Sequence, residues 1–262
     1  MPNRTSPWPA GVPCWVDLTV SDVPLAQSFY GQVLGWTFAG SDEEFGGYVI
    51  GQVDGAAAAG IGPTQQPGLP SAWTLYLSST DADASAKLIT HAGGTLLLPP
   101  GDVGRLGRLL VAADPTGAVF GVWQAGTHLG TEVYSEPGGL TWEDLRTPDP
   151  ASAWPFYRAV FGYETHSLAA AGPDYATFHL AGDPAPLGGM GGMFGQDAPP
   201  HWVVYFGVAD ADAALERALA AGGTVAGPAT ESSYGRMGTV TDPFGATFMV
   251  MQTDGSSPPP ER

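Results

Sequence analysis

Two carboxylates stand out because they recur in the same setting. Trp15-Val16-Asp17-Leu18 and Trp142-Glu143-Asp144-Leu145 share a Trp-x-Asp-Leu pattern, at a spacing of 127 from Trp15 to Trp142. In the first copy Val16, Leu18 and Val20 alternate with other residues, as a strand does. A carboxylate held among apolar side chains has its pKa raised by desolvation unless donors satisfy it. Such a group can move a proton near neutral pH or pair with a ligand amine. If Asp17 or Asp144 moves a proton, Tyr76 or Tyr205 could stabilise the enolate oxygen. Equally, either Asp could be structural, bonded to a neighbouring strand or to Arg108 and Arg236, because buried carboxylates are commonly paired. Other chemistries lack their residues. Cys14 is the only cysteine, which excludes an intramolecular disulfide and a thiolate metal cluster, and it has no recognisable base partner. No Ser-His-Asp arrangement emerges. Gly93-Gly94 and Gly222-Gly223 read as helix stops, since neither opens a helix in a phosphate-binding pattern.

The elements that must position these residues repeat as well. Phe29-Tyr30 returns as Phe156-Tyr157, and Val33-Leu34-Gly35-Trp36 as Val160-Phe161-Gly162-Tyr163. Trp73, Tyr76 and Asp83 match Trp202, Tyr205 and Asp212; Gly107-Arg108 matches Gly235-Arg236. Asp114-Pro115-Thr116-Gly117-Ala118 matches Asp242-Pro243-Phe244-Gly245-Ala246. So many ordered matches indicate a tandem duplication. Each half splits again. A strand at Val16–Val20 leads to a helix capped by Asp22, with Pro24 in its first turn and Gly35 at its end. Strands follow near 48–53 and 56–61. The order then repeats: a strand at Trp73–Leu77, a helix at Asp83–His91, and strands at Thr95–Leu98, Leu109–Ala112 and Val119–Gln124. The unit is β-α-β-β-β, and the chain holds four. The expected domains are 12–125 and 139–252, joined by a linker of roughly 125–138. Shorter connectors are expected at 63–70 and 196–200, and a polar, proline-rich tail at 253–262 is expected to be disordered.

Charge and composition bound the partners. Nine Lys+Arg against 26 Asp+Glu give a formal net charge of −17. Nucleic acid is therefore not expected as a partner, because its binding rests on clustered cations. The acidity serves solubility, or it draws in cationic ligands. No run of 18 apolar residues occurs, so no membrane span is expected, and the polar first ten residues do not read as a signal peptide. The simplest expectation is a soluble cytoplasmic protein, monomeric or homodimeric.

Four β-α-β-β-β units, the helix motif Ser28-Phe29-Tyr30-Gly31-Gln32-Val33-Leu34-Gly35-Trp36 and the turn Asp114-Pro115-Thr116-Gly117 resemble the vicinal oxygen chelate superfamily. That group includes glyoxalase I, bleomycin-resistance proteins, extradiol dioxygenases and fosfomycin-resistance enzymes. The opening Pro13-Cys14-Trp15-Val16-Asp17-Leu18 is similar to a narrower group of two-domain actinobacterial proteins, glyoxalase-like or labelled hydroxylases, some of them in aromatic polyketide pathways. The resemblance implies an α+β fold: four βαβββ units forming two glyoxalase-like, cup-shaped domains in tandem.

It also implies where a divalent metal would sit, and those positions hold the wrong residues. They are Trp15, Thr74 and Gly121 in the first half and Trp142, Val203 and Met249 in the second. The five histidines do not restore a set: His91, His128 and His201 lie at a helix end, in the linker and at a strand start. His166 and His179 could face one another across neighbouring strands, with no placed carboxylate. No metal of the family type and no other cofactor is therefore expected. Alternation points Trp15, Asp17, Thr74, Tyr76, Val119, Gly121 and Trp123 into the first cup. It points Trp142, Asp144, Val203, Tyr205, Thr247, Met249 and Met251 into the second. These aromatic walls either fill a core or stack on a flat aromatic ligand. Gly121 suggests room where Met249 fills, so the first cup is the expected ligand site. Three functions compete: a binder of a small, flat, polyketide-like natural product; a metal-free hydroxylase-like or isomerising enzyme; and a metal-dependent glyoxalase or dioxygenase, which elemental analysis would reveal. Whether units pair within or across halves stays open at this level.

Overall fold

The computed structural model describes residues 4–253 apart from 41–44, 65–67, 69, 173, 194–197 and 233. Most of the expected tail (254–262) and parts of both short connectors lie outside the described residues. The first half runs β1 (Pro13–Val20), α1 (Val23–Leu34), β2 (Thr37–Ala39), β3 (Val49–Val53), β4 (Ala56–Pro63), β5 (Trp73–Ser78), α2 (Ala82–His91), β6 (Thr95–Val103), β7 (Gly107–Ala113) and β8 (Val119–Ala125). The second runs β9 (Leu140–Arg146), α3 (Pro150–Phe161), β10 (Glu164–Ser167), β11 (Ala176–His179), β12 (Gly188–Gly191), β13 (His201–Val208), α4 (Ala211–Ala220), β14 (Thr224–Val225), β15 (Thr230–Ser232), β16 (Gly235–Thr241) and β17 (Thr247–Gln252).

Local signals explain the helices. Asp22, Asp81, Asp149 and Asp210 each precede a helix and accept a backbone N–H of its first turn. Each such cap is worth about 1 kcal/mol. Gly35 and Gly162 end α1 and α3 at φ 75° and 73°, a left-handed conformation that glycine adopts without penalty. The Asp-Pro-x-Gly turns work the same way. Asp114 Oδ1 accepts the N–H groups of Thr116, Gly117 and Ala118, and Gly117 turns the chain at φ 102°.

Units pair within each half. The first sheet has the order β2-β3-β4-β1-β5-β8-β7-β6 and the second β10-β11-β12-β9-β13-β17-β16-β14, with β15 on β16. Central strands therefore carry the repeated Trp-x-Asp: β1 lies between parallel β4 and antiparallel β5, and β9 between β12 and β13.

The halves meet through the sheet faces that bear the helices. Helix α1 packs on α4 and α2 on α3, while β13 lies against β5 and β8. One continuous core results. Val16, Leu18, Leu75, Phe120, Val204, Phe206 and Phe248 belong to it and are wholly buried. Rings cross the boundary, with Phe206 against both Trp36 and Trp73 and Phe248 against Phe29 and Tyr30. The Tyr30 hydroxyl of α1 donates to Asp242 Oδ2 in the other half's turn at 2.8 Å. The helix stops matter here too. A side chain at Gly94 would meet Phe156, and one at Gly223 would meet Phe29, each 2.8 Å from the added carbon. The candidate residues lie on the opposite faces of both sheets, away from the contact between the halves.

Candidate sites on the outer faces of the two sheets

Both halves build the same group of four side chains. Trp15 pairs across the ladder with Tyr76, and Asp17 lies between Gly60 and Thr74. Likewise Trp142 pairs with Tyr205, and Asp144 lies between Gly189 and Val203. The fourth member is a tyrosine just before the third strand of its unit, Tyr48 or Tyr175. It reaches back over a glycine: an added carbon at Gly60 or Gly189 would collide with the Tyr48 or Tyr175 hydroxyl. Glycine at these two places lets the ring lie on the sheet with its hydroxyl at the Asp.

In the second half the carboxylate is saturated. Asp144 Oδ1 accepts from Trp142 Nε1 at 3.0 Å and from the Tyr175 hydroxyl at 2.7 Å. Its Oδ2 accepts from the Tyr205 hydroxyl at 2.7 Å and from Arg146 NH2 at 2.5 Å. Four donors match the lone-pair capacity of a carboxylate, leaving no acceptor for a substrate proton. Arg146 also donates to the Tyr205 hydroxyl at 3.3 Å, and its guanidinium carbon sits 5.8 Å from the Tyr175 ring centre. Burial works against the Arg146 charge, yet Asp144 and the two tyrosines outweigh it and hold its pKa above the usual range. Burial and the Asp144 charge push both tyrosines above their ordinary pKa. Asp144 is thus a structural, paired carboxylate. Its partner is Arg146, and the expected Arg236 lies elsewhere, on Asp212 and Glu231. Arg108 is likewise held by Asp83 and Asp102 and does not serve Asp17.

The first half lacks the cation. The position of Arg146 is taken by Thr19, an exposed side chain. Asp17 receives the Tyr48 hydroxyl at 3.5 Å and a bond from Tyr76. Among the described residues no Lys or Arg forms an ion pair with it. Burial pushes its pKa up to about 7, with the Tyr76 and Tyr48 bonds pulling the other way. Asp17 and Thr74 are half-buried, so this end of the site meets solvent.

The opposite end of the first site is closed by its own side chains. Trp15 donates to the Tyr48 hydroxyl at 3.0 Å and meets the edge of the His128 ring, 4.4 Å between centres. Trp123 donates to the His128 carbonyl at 3.0 Å. The linker that carries His128 is tied down, with Thr131 N–H bonded to the Cys14 carbonyl and Glu132 N–H to the Ala57 carbonyl, both at 2.7 Å. Gly121 does not leave the expected room, because the Tyr76 ring lies where its side chain would be. Trp15, Tyr76 and Trp123 are consequently only 4–6% exposed and belong to the main core. Val119 stands 41% exposed at the start of β8.

The second site opens where the first closes. Val203, Tyr205 and Met251 form a separate apolar cluster with the partly buried Trp142, Met237 and Met249. Tyr234 lies nearly parallel to Trp142, with ring centres 6.4 Å apart, and is 57% exposed. Thr247 is exposed at the start of β17. The larger accessible aromatic and methionine surface therefore belongs to the second half, which reverses the expectation drawn from Gly121.

The residues at the family's metal positions do not fit a metal. Indole N–H groups and the glycine and valine positions offer no ligand, and Thr74 and Met249 stand in different halves. His166 and His179 do face one another, with ring centres 4.3 Å apart. Yet no group of three His, Cys, Asp or Glu among the described residues could hold an ion. Sequence reasoning missed Tyr48, Tyr175, Arg146 and the inward turn of His128. Tyr48 and Tyr175 had a signal, since they recur at the same spacing as Trp15 and Trp142.

Comparisons with known proteins agree with this architecture. Residues 14–122 match the model of the Glyoxalase/Bleomycin resistance protein/Dioxygenase superfamily, and residues 143–251 match that of a Glyoxalase-like domain. CFP32 of Mycobacterium tuberculosis (strain CDC 1551 / Oshkosh), provisionally designated a glyoxylase, is 39% identical over 96% of this chain and 98% of its own. The anthracycline biosynthesis protein DauV of Streptomyces sp. (strain C5) is 36% identical over 92% of this chain and 93% of its own. In fold, the Mn(II)-bound glyoxalase from Novosphingobium aromaticivorans superposes with a TM-score of 0.67 at 14% identity, over 93% of this chain and 82% of the other.

Proposed function

The chain belongs to the glyoxalase/bleomycin resistance/dioxygenase superfamily, and from that premise we propose that it binds a small, flat, polyketide-like aromatic compound on the outer face of its second sheet. The binding needs no metal of the family type. The observation that carries this reading is the nearly parallel Trp142–Tyr234 ring pair, with Trp142 in one apolar cluster with Met237 and Met249. Parallel aromatic walls and polarizable thioethers suit a planar ligand. Two relatives, DauV and DnrV, are named for anthracycline biosynthesis, which is aromatic polyketide chemistry. Saturation of Asp144 favours binding over proton transfer in this half.

Titration of tryptophan fluorescence with hydroxyanthraquinones and anthracycline aglycones tests the reading. Saturable quenching at micromolar concentration is expected, and Trp142→Ala should weaken it about tenfold, the equivalent of about 1.4 kcal/mol and within the range of one aromatic pair. Absence of quenching by every compound, or equal quenching in the variant, counts against it.

A further inference from the structure

The second half contains, within its own chain, a pattern for what the first half lacks. Its guanidinium is bonded to Asp144, touches the Tyr205 hydroxyl and lies by the Tyr175 ring. The first half keeps the counterparts of all three receiving groups: Asp17, Tyr76 and Tyr48. It keeps the glycine beneath the tyrosine as well, Gly60 for Gly189. Among the described residues only the cation has no counterpart, because Thr19 stands in register with Arg146. Thr19 is exposed and Asp17 half-buried, so solvent reaches this end of the strand.

We propose that the first half binds a small molecule ending in a guanidinium or ammonium group, with Asp17 as its counter-ion and the Tyr48 and Tyr76 side chains flanking it. This site is separate from the aromatic face of the second half. Three physical arguments support it. A carboxylate withdrawn from water is costly unless paired, and the pairing that satisfies its twin is available from solution. Aromatic rings beside the carboxylate add cation–π attraction. The net charge of −17 raises the local concentration of small cations. The raised pKa of Asp17 is what an unpaired carboxyl in that cage should show. The other titratable groups near it are Tyr48 and Tyr76, with His128 on the far side of Trp15.

Methylguanidinium chloride and ethylammonium chloride are the probes, titrated at millimolar concentration into the full chain against sodium chloride of equal ionic strength. The readout is the indole N–H resonance of Trp15, whose hydrogen bond to Tyr48 places it beside the cage. A saturable shift is expected for Trp15 and none for Trp142. Asp17→Asn should weaken binding at least tenfold. Thr19→Arg should fill the cage from within, abolish the shift and raise the thermal midpoint. A shift that fails to saturate, one seen equally with sodium chloride, or one that survives Thr19→Arg overturns the proposal, even if Asp17→Asn does not fold.

Discussion

The two outer faces start from one set of residues and end as opposites. Trp, Asp and two Tyr recur in both, yet the first is closed at its Trp15 end and open at Asp17, while the second is closed at Asp144 and open at Trp142. Two local differences account for the reversal. Arg146 in place of Thr19 satisfies and covers Asp144. His128, delivered by the linker, covers Trp15. An ancestral arrangement can thus be turned around without altering the sheet, by changing which end receives a covering group.

The largest test of this contrast concerns the carboxylates. Asp144→Ala leaves the Arg146 charge buried without its carboxylate and should cost about 3–5 kcal/mol. Asp17→Asn strands no cation and removes a carboxylate that burial disfavours, so it should cost far less or even stabilise. Urea unfolding at neutral pH measures both, and equal losses would break the contrast. The tryptophans come next. Trp15→Ala empties a closed end and should cost about 3–5 kcal/mol. Trp142→Ala should cost less than half of that, with its main effect on ligand affinity.

The last test is the pH dependence that Asp17 contributes. Folded Asp17 keeps its proton up to about pH 7, whereas an unfolded Asp loses it near 3.9. Between those values the folded chain binds the extra proton, so this group's stabilisation is full at the low end and falls as pH rises. The slope is at most about 1.4 kcal/mol per pH unit and vanishes above about pH 7. Asp17→Asn should flatten that part of the stability–pH curve; an unchanged slope would assign it to another group.

Much of this molecule was legible from spacing alone. The repeat from Trp15 to Trp142 gave two domains, and alternation placed Trp15, Asp17, Tyr76 and their counterparts on the face away from the helices, where their contacts put them. Helix ends followed from Asp22 and Gly35. What escaped depends on side chains meeting across strands. Tyr48 reaches Asp17 only because Gly60, on the intervening β4, has no side chain. Gly121 reads as free space along its own strand, but the ring of its cross-strand neighbour Tyr76 fills it. His128 sat in a segment read as a connector, and its burial arises from backbone bonds between that segment and β1 and β4 that no local pattern announces.

The shared core between the halves has a genetic consequence. Had one half simply dimerised with its copy, every substitution would appear twice, and a Thr or an Arg at the cage would be imposed on both faces together. Joining the copies in a single chain, with Tyr30 of one bonded to Asp242 of the other, keeps the paired architecture while releasing each face to mutate independently. One gene product can then pair the carboxylate of one cage with an arginine and place a threonine at the same position of the other, a broken symmetry that no homodimer of the half could encode.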